Sequence, residues 1–141
     1  MPVSFHFQSA ITLNERTRLK LFLEQLARKE AGKSVSLNYV FCSDDDLLEI
    51  NRQYLQHDFY TDIITFDLSD SATKLIQSDI FISTDRVKDN ARNLGIAQNL
   101  ELHRVIFHGL LHLCGYKDKS AADQKRMRSR EDFYLKKYRL L

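Results

Sequence analysis

Proline occurs once and glycine four times in 141 residues. Nothing in the chain therefore reads as a Pro- or Gly-rich linker, and one domain spanning 1–141 is expected. Cysteine is equally scarce. Cys42 and Cys114 alone are too few for a disulfide framework. No apolar run approaches the ~20 residues needed to cross a bilayer. The N-terminal MPVSFHFQSA lacks the basic-then-apolar order of a secretory leader. These absences make a cytoplasmic protein without membrane association the expectation. A large excess of charge of one sign is also missing, with 21 Lys and Arg against 19 Asp and Glu. A net charge of +2 neither demands nor excludes nucleic acid, so clustering decides. What is present is enough apolar material for a core, at 43% of residues.

The apolar material concentrates in 100–118, LELHRVIFHGLLHLCGYKD. Leu102, Val105, Ile106, Leu110, Leu111 and Leu113 predict a helix buried on most sides. His108 and His112 stand four apart on it, hence on one face and one turn apart. Two imidazoles so placed can chelate one metal ion. Gly115 is the residue type that ends helices in the left-handed conformation. Asp118 lies six residues past His112, far enough along to swing back as a third ligand. The competing reading is a core helix with hydrogen-bonded histidines. Gly109 stands where a zinc protease has its general-base Glu, which argues against peptidase chemistry. Cys114 sits roughly 200° from His112 on the helix and reads as a core thiol. His103 lies off the His108 face.

The rest supplies strands and helices in turn. VSFHF (3–7), SVSLNYVFC (34–42), IITFDL (63–68) and LIQSDIFIS (75–83) read as strands, the third buried on both faces. Residues 14–31 predict an amphipathic helix with Asn14 as N-cap and Leu19, Phe22, Leu23 and Leu26 inward. Ser43-Asp44-Asp45-Asp46 reads as a capped start for a helix over 44–56, with capping preferred to a metal site for the three acids. Helices follow at 85–94 and 120–138, the last opened by Ser120 and Asp123. The last helix carries the densest basic cluster, Lys125 to Arg139. Asp79 interrupts an apolar strand, and an acid there is either functional or a strand-edge residue. The order gives an α+β domain, a small mixed four-stranded sheet under about five helices.

HGLLHLCGYKD resembles the H-G-x-L-H-L-x-G-Y-D-H signature of the YbeY family of metal-dependent single-strand endoribonucleases that mature ribosomal RNA. His108, Gly109, Leu111, His112, Leu113, Gly115 and Tyr116 match in place. Asp118 stands at the family's third histidine, and Lys117 at its Asp. NRQYLQHDFYTD is similar to the family's N-x-x-Y-R-x-x-D-x-P-T-D stretch through Asn51, Tyr54, Asp58, Thr61 and Asp62. The family's phosphate-contacting Arg is Leu55 here, with Arg52, one turn earlier, as the nearest substitute. Ser78-Asp79-Ile80 resembles a family G-D-I. The resemblance implies a zinc or other divalent ion on His108, His112 and Asp118, with Arg52 and Asp79 as catalytic candidates. It implies single-stranded or ribosomal RNA as partner, with small ribosomal subunit proteins as further candidates. The alternative is a non-catalytic ribosome-assembly factor with a structural metal.

Overall fold

The computed structural model describes residues 2–139. The chain runs β1 (Val3–Phe7), α1 (Arg16–Ala31), β2 (Ser34–Cys42), α2 (Asp44–Leu55), β3 (Ile63–Asp67), β4 (Leu75–Ser83), α3 (Thr84–Leu94), α4 (Gln98–Leu113) and α5 (Ala121–Arg139). The strands form one sheet in the order β1-β2-β4-β3. The β1–β2 and β2–β4 pairs are parallel, and β3 runs antiparallel to β4. The expected mixed four-stranded sheet with five helices is what forms.

Alternation decides which face holds the core. Val35, Leu37, Tyr39 and Phe41 of β2 and Ile76, Ile80 and Ile82 of β4 point to one face. There they meet Leu19, Phe22, Leu23 and Leu26 of α1 and the buried side of α4. The Tyr39 hydroxyl donates to the Ile106 carbonyl of α4 across that interface at 3.1 Å. On the opposite face, Cys42, Leu47 and Ile64 make a smaller cluster under α2.

Gly109 of α4 meets the sheet. A Cβ built there would lie 2.9 Å from Ile63 Cδ1 and 3.4 Å from Ile80 Cγ2. Position 109 therefore faces β3 and β4, and its lack of a side chain lets the helix sit close. A glutamate there would point into the sheet, which gives the missing protease-type Glu a packing reason.

Four expectations need correction. Asn14 does not cap α1. The N-cap is Glu15 in a left-handed conformation (φ 53°), without a side-chain cap bond. Buried Leu13 fixes the entry, its carbonyl accepting from Arg16 Nε at 3.0 Å. The third strand stops at Asp67 and is a sheet edge, with only Ile64 fully buried, because β4 takes the inner place. The helix expected at 85–94 begins at Thr84, capped by Ser83, whose Oγ accepts from Arg86 N at 3.2 Å. The final helix runs 121–139 rather than 120–138, with Ser120 Oγ accepting from Asp123 N at 3.1 Å.

His103 is a buried neutral histidine, 7% exposed, stacked on Phe107 and edge-on to Tyr138. Burial, with the Arg18 charge behind it, lowers its pKa to about 4. The unfolded chain takes up this proton near pH 6.5, the folded protein only near 4. Unfolding thus binds a proton in between, and stability falls as pH drops through that window. Chemical denaturation of the parent and of His103→Phe from pH 7.5 to 4 should show the parent losing about 1–3 kcal/mol more than the variant. Parallel pH curves would refute this.

Candidate metal centre

The region around His108 is built by three elements. His108 lies on α4 with its side chain 24% exposed. Its Nδ1 is 2.8 Å from Glu131 Oε2 on α5. Carboxylate oxygen only accepts here, so Nδ1 carries the hydrogen and Nε2 faces outward. Nε2 is 3.4 Å from Asp118 Oδ2. The two sides of a cavity of about 770 Å³ are completed by Asp62, Arg104, Lys125 and Arg128.

Glu131 is almost fully buried, and its charge is compensated from two sides. His108 takes one oxygen, and Arg104 Nη1 lies 3.3 Å from the other. Arg104 is held in turn by Glu101 at 3.5 Å and Asp132 at 2.9 Å. Burial lowers the proton affinity of His108. Glu131 raises it by hydrogen bond and charge, Asp62 and Asp118 add to that, and the net shift is upward. Burial pushes the Asp62 carboxyl up, opposed by His108. A site surrounded by these carboxylates favours a positive occupant.

His112, one turn on, is exposed. Its Nδ1 is 3.2 Å from the Tyr116 carbonyl, again an acceptor, so its Nε2 is also left as the free nitrogen. Tyr116 is anchored at its other end. Its hydroxyl donates to Glu30 Oε1 at 2.7 Å, and Glu30 Oε2 also receives Arg130 at 2.6 Å and the Tyr134 hydroxyl. Burial pushes the Glu30 carboxyl up, but these three donors outweigh it and hold it below its usual range. Thus the end of α1 and the middle of α5 fix the turn that orients His112. Gly115, at φ 111°, supplies the backbone conformation of that turn. Burial pushes the Cys114 thiol up to about 12, in keeping with a packed thiol rather than a thiolate ligand.

The donor set fits a divalent ion in part. Ligands at about 2.0–2.2 Å in a tetrahedron stand about 3.3–3.6 Å apart, and the His108–Asp118 pair, at 3.4 Å, has that spacing. Both imidazoles present Nε2 with Nδ1 fixed by an acceptor, the arrangement of metal-bound histidines. His112 is not gathered with that pair. Among the described residues no group of three or more His, Cys, Asp or Glu side chains is assembled.

The structure does not bring Arg52 or Asp79 to this cavity. Ile80 faces α4, so Asp79 beside it points to the opposite face, where Asn38 Nδ2 donates to it at 3.0 Å. Arg52 is on α2, over that same opposite face, and pairs with Asp58 and Glu49. Its contact is structural, helping to fold back the loop that ends at Asp62. Buried Asn51 does the same, donating to the Phe59 carbonyl at 2.9 Å.

Sequence reasoning missed Glu131, Arg104 and Glu30. A signal for Glu131 existed. It falls in the stripe of Met127, Tyr134, Leu135 and Tyr138, which are all buried, and an acid in an apolar stripe demands a partner. Its partner is 23 residues away on another helix, which no local pattern reveals.

The model of the endoribonuclease YbeY family matches residues 6–139, well beyond the 34–118 over which the motifs alone are recognisable. The chain is 52% identical over 123 residues to an endoribonuclease YbeY of Cytophaga hutchinsonii, covering 87% of this chain and 85% of that one. It is 44% identical over 134 residues to an endoribonuclease YbeY of Flavobacterium psychrophilum, covering 95% and 94%. Among solved structures, a Thermotoga maritima protein studied in solution superposes with a TM-score of 0.66 at 27% identity, over 96% of this chain and 88% of that one. The chain belongs to the endoribonuclease YbeY family.

The Glu30 anchor gives a prediction. Tyr116→Phe removes one donor to a buried carboxylate and should lower stability by about 1–2 kcal/mol. It should also loosen His112, so that the imidazole nitrogen NMR signals of the metal-free variant report mixed tautomers where the parent shows Nδ1–H alone. An unaltered tautomer pattern would show that the Tyr116 anchor does not orient His112.

Proposed function

We propose that this protein is a metal-dependent endoribonuclease that cuts single-stranded RNA during ribosomal RNA maturation in the cytoplasm. His108, His112 and Asp118 would hold one divalent ion, with zinc the expected metal. The observation that carries the metal is His108, its Nδ1 fixed and its Nε2 at tetrahedral-edge spacing from Asp118, with the Nε2 of His112 left free one helical turn on. Family membership supports the ribonuclease activity.

When bound, a divalent ion would supply an acidified water and polarise a phosphoryl oxygen. The chain's own residues do the rest. Glu131 keeps His108 oriented and lowers the cost of placing a cation beside it. Arg128 and Lys125 line the cavity and take the phosphate-holding role that Arg52 cannot reach. Asp62 is the acid that the loop from α2 delivers to the cavity, and it is a candidate to accept a proton from the nucleophile. Small ribosomal subunit proteins are proposed as further partners.

Elemental analysis of protein purified without chelators should find about one divalent ion per chain, lost in His108→Ala, His112→Ala and Asp118→Ala, together with RNA cleavage. Glu131→Gln should keep its fold but bind the ion about 10–100-fold more weakly. A parent that cleaves RNA without any bound ion would sink the metal assignment. A parent that binds an ion and RNA without cleaving would favour the assembly-factor alternative.

A further inference from the structure

The basic cluster of α5 divides between two surfaces. Lys125 and Arg128 line the cavity with Glu131. Arg130, Phe133 and Lys137 recur at helical spacing as a separate stripe, with Phe133 about 200° around the helix from Glu131. Phe133 is 42% exposed, yet three cations from two helices surround its ring. The Arg130 guanidinium is 4.4 Å from the ring centroid, Lys29 Nζ 5.0 Å and Lys137 Nζ 6.0 Å.

The two ammonium groups crowd each other. The contact with Lys137 lowers the Lys29 pKa, and the nearby Arg130 adds to this. Glu30, whose charge acts on Lys29, is already taken by Arg130 and two tyrosine hydroxyls. Beside them runs a groove between α1 and α5, lined by Phe22, Gln25, Leu26, Arg28, Tyr134 and the two lysines, of about 290 Å³. Like charges gathered around an exposed ring cost stability unless an anion meets them. A half-exposed aromatic ring with cations over it offers the pairing that single-stranded nucleic acid uses, base on ring and phosphate on ammonium, once the ammonium groups turn from the ring to phosphate.

We propose that Phe133, Lys29 and Lys137 form a second contact surface for single-stranded RNA, holding a segment of the substrate away from the cavity where it is cut. This deepens the ribonuclease reading and rests on it for the identity of the ligand. A base takes the place of the lysine ammonium groups on the Phe133 ring, and Lys29 and Lys137 swing out to neutralise the flanking phosphates, while Arg130 stays on the ring, held by Glu30. The stripe lies toward the C-terminal end of α5, about 13 Å along the helix from Arg128 to Lys137. Only a strand several nucleotides long reaches both surfaces.

The test compares the parent with Phe133→Ala and with the Lys29→Gln/Lys137→Gln double variant. The probes are fluorescein-labelled 2′-O-methyl single strands of about twelve and about four nucleotides, followed by anisotropy across a salt series. Phe133→Ala should weaken the long probe about tenfold. The double variant should reduce the salt slope by about 1–2. Both should leave the short probe unaffected, raise KM for a cleavable long RNA and keep kcat. Unchanged affinity and slope in both variants would overturn the proposal. So would equal losses on long and short probes, or tighter capture of oligoglutamate than of RNA, which would assign the patch to an acidic peptide. If the parent cleaves nothing, the ribonuclease reading fails, and the binding and salt data still decide the patch.

Discussion

A buried carboxylate on α5 that α4 must satisfy organises this domain. Glu131 cannot sit in the apolar interior of α5 without compensation, because an uncompensated buried charge costs several kcal/mol. Its two oxygens take a guanidinium and an imidazole from successive turns of α4. That requirement fixes the rotation of α5 against α4 and the ring plane of His108 together. Stability and site geometry are thereby the same constraint. A change that repacks the helices also re-aims the histidine.

The second histidine is held by a different logic. His112 is exposed, and its orientation comes from a backbone carbonyl in the turn that follows α4. The turn is positioned from a distance, by a carboxylate at the end of α1 that gathers two tyrosines and an arginine. Each imidazole therefore leans on its own remote acid, Glu131 for one and Glu30 for the other. The two supports come from opposite ends of the chain. The potential ligands are local in sequence, spanning 108–118, while their scaffolding is not.

This separation explains what could be read from the sequence. Periodicity was sufficient for the strands of the sheet and for α4, since Val35 to Phe41 alternate and Leu102 to Leu113 recur at helical spacing. The candidate ligands were legible because chelating spacing is a local property of one helix. Asp79 and Arg52 were misplaced because local reading gives no face of the sheet. Asp79 resembles a site acid until Ile80 is seen against Gly109, which turns Asp79 away from the cavity. Edge position was equally hidden. IITFDL has the composition of an inner strand, and only the sheet order β1-β2-β4-β3 puts it outside. Asn14 failed as a cap because buried Leu13, a tertiary effect, sets how the chain enters α1.

Both outer strands, β1 and β3, are five residues long. A five-residue ladder offers few free amide and carbonyl groups to a second copy of the chain, and short borders are one way folded proteins avoid stacking into aggregates. On β1 the aromatic side chains are also covered, Phe7 by Arg16 at 4.4 Å and Phe5 by Lys20 at 5.7 Å. The helix that supplies Glu30 to the site thus also shields the sheet's outermost rim, and lengthening β1 or neutralising those cations would trade colloidal solubility for strand pairing.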